Sequence, residues 1–347
     1  MDNSRTLFEK VGAEAVFTEQ PDLRQYLTGF ETSFGYVLTD KNATVFYTDS
    51  RYFEGAKKAL LGKDIEVKLY DGSLEKILKG YKEIAIPIAK TYHTDYEKLA
   101  GYGLKIVDSG KAFDEIMAVK HGYETENIRL ACNVADSAFV SLLPRIKEGM
   151  SENDVAAELE YLMRRNGASG TSFSTIVAFG KNSSVPHHET GNDKLKFGDI
   201  ALIDFGCKVN GYCSDCTRTF LFGDDNKHGE FKTAYNHVLK AHMLVKERLV
   251  PGDSGKVADG YAREYFKEYG LDKFFTHALG HGIGINVHEK PVLSPRSEDK
   301  LLDNMVFSDE PGVYFEGKFG IRIEDTVMLS GGKVVSLTDS DKNLIIL

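Results

Sequence analysis

Acidic and histidine side chains with spacing suited to holding cations are concentrated in the second half of this 347-residue chain. The first group lies in Ile203-Asp204-Phe205-Gly206-Cys207-Lys208-Val209-Asn210-Gly211-Tyr212-Cys213-Ser214-Asp215. Its Asn210-Gly211 pair signals a type I′ hairpin, because both residues tolerate positive φ. With a two-residue loop, residues whose numbers sum to 421 face each other, so Asp204 stands opposite Thr217. Asp215 then shares a face with Asp204, diagonal to it, with Cα atoms about 7–8 Å apart. Two carboxylates so placed in a buried hairpin repel and shift each other's pKa unless a cation lies between them. Taken singly, each aspartate has a plainer reading as a turn or capping residue.

A second group follows. Thr276-His277-Ala278-Leu279-Gly280-His281-Gly282-Ile283-Gly284-Ile285-Asn286-Val287-His288-Glu289 carries three of the ten histidines, among three glycines that permit close backbone approach. It is neither the H-E-x-x-H zinc motif nor the dinucleotide G-x-G-x-x-G. Downstream, Ser308-Asp309-Glu310-Pro311-Gly312 and Gly320-Ile321-Arg322-Ile323-Glu324-Asp325 place acids in apolar, strand-like surroundings. Strand parity does not choose Glu310 over Asp309, or Glu324 over Asp325, because Pro311-Gly312 can break the register.

The elements that must position these groups show two textures. Up to about residue 115, short β-patterned runs alternate with helical ones, as in a small α/β domain. Phe34 to Thr39 and Ala43 to Thr48 flank Asp40-Lys41-Asn42 as a hairpin, Ser50 can cap a helix through Leu61, and strands are expected at 65–69, 84–88 and 105–107. This part contains no phosphate loop, metal-spaced cluster or nucleophile motif and reads as a scaffold or oligomerisation domain. From about Glu124 the helices lengthen. Ile128, Cys132, Ala135, Phe139 and Leu142 recur at helical spacing, Ser151 to Asp154 forms a helix start, and Asn166-Gly167 forms its stop. Strands at 175–179, 199–205 and 214–222 follow, then helices at about 230–249 and 257–268, then a β-rich remainder. The order helix, helix, sheet thus occurs twice, which predicts a duplicated architecture with a site between its halves.

Composition excludes several alternatives. The chain is 42% hydrophobic and 27% charged, with mean hydropathy -0.29, as expected of a soluble globular protein. A net charge of -9 argues against nucleic-acid binding, which needs a basic face. No apolar run approaches the ~20 residues of a membrane helix, and Met1 to Arg5 lead into no signal-peptide core, so a cytoplasmic location without membrane association is expected. Four cysteines are too few for a disulfide scaffold at this length. Cys213 and Cys216 form a C-x-x-C, but within one strand they would point to opposite faces, which favours packing over joint ligation.

Together these strings resemble the pita-bread metallopeptidases, the family of methionine aminopeptidase, aminopeptidase P and prolidase. The resemblance runs from Glu124 to the C-terminus. Thr48-Asp49-Ser50-Arg51-Tyr52 is similar to the N-terminal domain of the prolidase and creatinase branch. The implied fold is α/β (α+β), with a creatinase/prolidase-like domain over residues 1–118 and a duplicated catalytic domain over residues 119–347. The implied ligands of two divalent cations are Asp204, Asp215 (11 positions later), His281, Glu310 and Glu324, with Asp215 and Glu324 bridging. Mn²⁺ is the first choice of metal, with Co²⁺, Zn²⁺ or Fe²⁺ as alternatives. By the same resemblance a hydroxide shared by the two ions attacks the peptide carbonyl and Glu310 shuttles the proton. His288 stabilises the oxyanion, His277 lines the pocket, and His187 (with His188 the second candidate) and Arg322 orient the portion beyond the scissile bond. Asp309 stands where many relatives have a small or hydroxyl residue.

The implied activity is hydrolysis of the Xaa-Pro bond at a free peptide N-terminus, by a homodimer acting on small peptides with proline second. Two rival readings remain. A methionine aminopeptidase would leave the first 115 residues without a purpose, and a non-catalytic peptide or protein binder reusing the fold would be expected to have lost ligands. Creatinase, which shares the fold without metals, is disfavoured because all five ligand positions are filled.

Overall fold

In the first part of the chain, the short β-patterned runs assemble into one sheet. The computed structural model describes residues 3–223 and 227–347 and divides into two units, Met1–Met117 and Ala118–Leu347. The first contains α1 (Asn3–Val11), β1 (Ala15–Thr18), α2 (Pro21–Thr28), β2 (Tyr36–Asp40), β3 (Thr44–Thr48), α3 (Phe53–Ala59), β4 (Glu66–Leu69), α4 (Leu74–Leu78), β5 (Glu83–Ile86), α5 (His93–Gly101), β6 (Lys105–Asp108) and α6 (Gly110–Ala118). The sheet order is β4-β3-β2-β1-β5-β6. The β2–β3 hairpin forms where the sequence places it, because Asp40 Oδ1 accepts the amides of Asn42 (2.8 Å) and Ala43 (3.0 Å). The helix assigned to Ser50 starts later: the Asp49 carbonyl accepts the Phe53 amide (3.0 Å) and Tyr52 becomes the N-cap.

The second unit contains α7 (Gly122–Leu142), α8 (Glu152–Arg165), β7 (Gly170–Thr171), β8 (Ile176–Phe179), β9 (Asp199–Phe205), β10 (Cys207–Val209), β11 (Tyr212–Cys213), β12 (Cys216–Phe222), α9 (Gly229–Arg248) and α10 (Gly255–Glu268). The remaining strands are β13 (Gly280–Gly282), β14 (Glu289–Leu293), β15 (Val306–Asp309), β16 (Gly312–Phe315), β17 (Phe319–Arg322), β18 (Asp325–Ser330) and β19 (Lys333–Ser336). The predicted duplication is present. Helices α7 and α8 cover the sheet β12-β9-β8, and α9 and α10 cover the sheet β14-β13-β15-β18-β19. Every residue of the predicted α7 stripe is fully buried, and Phe139 stacks on Phe205 with ring centroids 5.3 Å apart. Helix α8 begins in a capping box in which Ser151 and Asp154 satisfy each other's backbone amides.

All four cysteines are buried thiols. The single strand expected through Cys213 and Cys216 is broken: Ser214 and Asp215 lie between β11 and β12. The Cys213 thiol goes to the Ile285 carbonyl (3.3 Å) and that of Cys216 to the Glu324 carbonyl (3.5 Å). Among the described residues, no helix is long and apolar enough to cross a membrane.

Phe139→Ala removes a fully buried ring from the first core and is expected to cost about 3–5 kcal/mol of stability. Denaturant titration of the purified protein measures the loss; a change below ~1 kcal/mol would show that the α7 stripe does not hold this half together.

Candidate metal centre

The acidic site begins at a break in a hairpin. Asn210 and Gly211 adopt φ of 50° and 80°, and the pairing runs as the turn dictates, with Val209 opposite Tyr212 and Asp204 opposite Thr217. Between these segments the ladder is interrupted. Asp215 turns to the other half of the unit, where its N–H donates to Thr326 Oγ1 (3.0 Å) and the Thr326 hydroxyl donates to its carbonyl (2.7 Å). Strand β12 makes a second link: the Glu324 amide donates to the Thr217 carbonyl (3.1 Å), and the Thr217 hydroxyl donates to Glu324 Oε2 (2.6 Å). Among the described residues, Asp204, Asp215 and Glu324 form the one group of metal-ligating side chains whose ligand atoms all lie within 4.8 Å of one another.

His281 and Glu310 lie beside this trio. A Cβ on Gly280 would fall 2.0 Å from the Ser308 carbonyl oxygen, so only glycine lets β13 approach this closely. Ser308 Oγ accepts the His281 amide (3.0 Å) and donates to Glu310 Oε1 (3.1 Å), which ties the two residues together. His281 Nδ1 faces the Gly282 carbonyl (3.3 Å) and so carries the proton. Its Nε2 lone pair is turned toward Asp215 Oδ2 (3.6 Å) and Glu310 Oε1 (3.5 Å).

The electrostatics call for positive charge. Burial, then the neighbouring carboxylates, raise Asp215 and Glu324 well above the usual carboxylate range. Burial pushes Glu310 up to about 8 against the pull of Arg322. Burial and His288 lower His281 to about 4, so its imidazole is neutral. Asp204 Oδ1 is buried without a hydrogen-bond partner. A lone pair facing carboxylates, an orphaned carboxylate oxygen and a set of oxygen donors with one imidazole together fit divalent cations.

The other sequence-predicted residues surround this centre. Arg322 is buried, and its guanidinium donates to Asp204 Oδ2 (2.6 Å), Thr217 Oγ1 (3.0 Å), Tyr314 Oη (2.7 Å) and the Pro186 carbonyl (3.3 Å). Tyr314 in turn lies 2.9 Å from His277 Nε2, and burial and Arg322 lower His277 to about 3. His288 is exposed, its ring 4.2 Å from that of His281. Of the adjacent pair, His188 is tied to buried Glu152 (2.8 Å), whereas His187 is exposed. Asp309 and Asp325 point away from the centre, toward His242. Sequence reading did not single out Thr217, Ser308, Tyr314 or His242 as site residues. Thr217 alone had a signal, as the register partner of Asp204.

Residues 126–330 match the model of metallopeptidase family M24, and residues 1–116 match that of the Creatinase/Prolidase N-terminal domain. The chain belongs to metallopeptidase family M24. This M24 chain is 34% identical to the Xaa-Pro dipeptidase of Pyrococcus furiosus, over 96% of its own length and 95% of that protein's. Its fold superposes on the X-Pro aminopeptidase from Thermotoga maritima with a TM-score of 0.92 at 34% identity, covering 98% of this chain and 99% of the other. For the Xaa-Pro dipeptidase from Bacillus anthracis the TM-score is 0.93 at 32% identity, with 99% and 98% covered. The M24 assignment makes the chain a metallopeptidase and carries a requirement for divalent metal, which the acidic cluster can meet.

Asp215→Asn is expected to lower Mn²⁺ stoichiometry and affinity more than Asp204→Asn. Asp215 is flanked by His281, Asp204 and Glu324, whereas Asp204 lies at the edge against Arg322. Calorimetric titration of both metal-stripped variants measures this, and the reverse order would remove Asp215 from the centre of the site.

Proposed function

We propose that this chain hydrolyses the Xaa-Pro bond at a free peptide N-terminus, with two divalent cations, Mn²⁺ foremost, held by Asp204, Asp215, His281, Glu310 and Glu324. The supporting observation is the convergence of three carboxylates within 4.8 Å, Asp215 and Glu324 buried and Asp204 half-buried, in a chain whose relatives include enzymes named Xaa-Pro dipeptidase. When bound, such cations polarise the scissile carbonyl and bring the pKa of a water from about 15.7 toward ~7.

The protein side chains supply the rest. Glu310, its Oε1 fixed by the Ser308 hydroxyl, takes a proton from the attacking water and delivers it to the leaving imino nitrogen. His288, exposed beside His281, donates to the developing oxyanion. His187 meets the part of the peptide beyond the scissile bond. Arg322, engaged by Asp204 and Tyr314, holds Asp204 and, through Tyr314, the His277 wall of the pocket. A proline-nitrogen peptide suits such a site. Its leaving group needs protonation, and its rigid ring loses little conformational entropy when positioned.

With Mn²⁺ loaded, kcat/KM for Ala-Pro and Ala-Pro-Ala is expected to exceed that for Ala-Ala and Met-Ala-Ala, and chelation should abolish turnover until Mn²⁺ or Co²⁺ is returned. Preference for Met-Ala-Ala would overturn the proline assignment, and full activity in metal-free protein would overturn the metal mechanism. His288→Ala is expected to retain Mn²⁺ while kcat falls roughly 10²- to 10³-fold. Loss of metal from that variant would make His288 a ligand instead.

A further inference from the structure

Directly behind the acidic centre, strands β15 and β18 end on a rung in which Asp309 faces Asp325. Both side chains are fully buried, and like charges directly opposite on one sheet face oppose pairing. Beyond this rung the strands part. The Glu310 amide turns to the Leu279 carbonyl (3.0 Å) and the Glu324 amide to the Thr217 carbonyl (3.1 Å). The ligands therefore leave the sheet one residue past the aspartate pair, and the closure of that rung sets how far apart they start.

His242 of α9, itself fully buried, lies between the two aspartates, with Nδ1 3.0 Å from Asp309 Oδ2 and Nε2 3.3 Å from Asp325 Oδ2. An imidazole that meets a carboxylate at each nitrogen does so as the doubly protonated cation. Burial opposes that charge, but Asp309 and Asp325 outweigh it and push His242 up to about 9. The two aspartates are unequally supplied. Asp325 also has Arg218 (2.9 Å) and Lys342 (3.2 Å), together with the hydroxyls of Ser336 (2.6 Å) and Thr338 (3.0 Å). For Asp309, His242 is the one ion-pair partner within 4 Å among the described residues.

We propose that His242 is a positioning residue for metal binding: by bridging Asp309 and Asp325 it keeps the last rung of β15 and β18 closed and so fixes the separation of Glu310 and Glu324. This rests on the reading of those two glutamates as cation ligands. It also gives Asp309 a role, since the histidine and this aspartate form a charge pair that works as a unit. Removing the histidine alone leaves two buried aspartates facing each other, whereas removing the Asp309 charge as well relieves the repulsion.

The test compares wild type, His242→Gln and the double variant His242→Gln/Asp309→Asn by calorimetric titration of Mn²⁺ into metal-stripped full-length protein, with circular dichroism to verify folding and kcat and KM for Ala-Pro. His242→Gln is expected to weaken Mn²⁺ binding by about 10- to 100-fold, with the loss in turnover falling on kcat more than on KM. The double variant is expected to recover most of the Mn²⁺ affinity and of kcat. Wild-type Mn²⁺ affinity in His242→Gln would overturn the proposal. Equal losses in the single and double variants would also overturn it, because they would mean that imidazole volume matters rather than charge. If His242→Gln does not fold, a double variant that folds and binds Mn²⁺ supports the proposal, and one that also fails to fold overturns it. Failure of wild type itself to bind Mn²⁺ would instead sink the cation-site reading.

Discussion

The mutual repulsion of carboxylates gathered out of water is the constraint around which the second unit is organised. At an effective dielectric of about 20, two unit charges about 5 Å apart repel by about 3 kcal/mol. Were all three ionised at once with no cation between them, the three pairs among Asp204, Asp215 and Glu324 would approach the whole stability of an ordinary domain, about 5–15 kcal/mol. Burial together with this repulsion raises Asp215 and Glu324 well above the usual carboxylate range. Among the described residues, one fixed cation stands at the edge of the group, Arg322 against Asp204. The imidazole that completes the group is held neutral by burial, so it adds a lone pair rather than a charge. The arrangement is therefore matched to mobile divalent ions.

Holding the carboxylates together despite this repulsion requires backbone connections between the two halves of the unit, and β12 provides them. Thr217 accepts the Glu324 amide at its carbonyl and bonds the Glu324 carboxylate with its hydroxyl, while Thr326 captures the backbone of Asp215. Arg218, buried next to Thr217, adds an ion pair to Asp325. Close approach on the other flank depends on Gly280, where any side chain would collide with the Ser308 carbonyl. Placement of these carboxylates thus follows from strand-to-strand bonding more than from side-chain reach, and this keeps them fixed when their charges favour separation.

Charge is arranged in two layers across the sheet. On one side Glu310 and Glu324 meet Asp215 and His281, and on the other Asp309 and Asp325 meet His242, Arg218 and lysines from α9 and the C-terminal segment. Among the described residues the front layer lacks intrinsic cations apart from Arg322, whereas the back layer is neutralised by the protein itself. This asymmetry separates a site fitted to divalent ions from a self-neutralised charge cluster, although both are built from acids and histidines in neighbouring positions.

Much of this was readable from residue order alone. The Asn210-Gly211 turn fixed the register that sets Asp204 opposite Thr217, because a two-residue loop with positive φ admits one pairing. The apolar stripe of α7 and the capping box of α8 were equally local, as was the repeated helix, helix, sheet order. Local signals failed where a distant strand intervened. Asp215 leaves its hairpin to bond Thr326, 111 residues away in sequence, so the strand expected from Ser214 begins only at Cys216. Strand parity alone did not assign Asp309 and Glu310, or Glu324 and Asp325. The orientation of each side chain depends on where β15 and β18 part and on which helix packs behind them. His242, alone on an apolar helix face, gave no sign of its partners. Residue order determined the local turns, the helices and the kinds of donor present, because these depend on neighbours in the chain. Only the tertiary structure decided which acids gather at the candidate metal centre and which face His242, because that depends on contacts between residues far apart in sequence, such as His242 with Asp309 and Asp204 with Arg322.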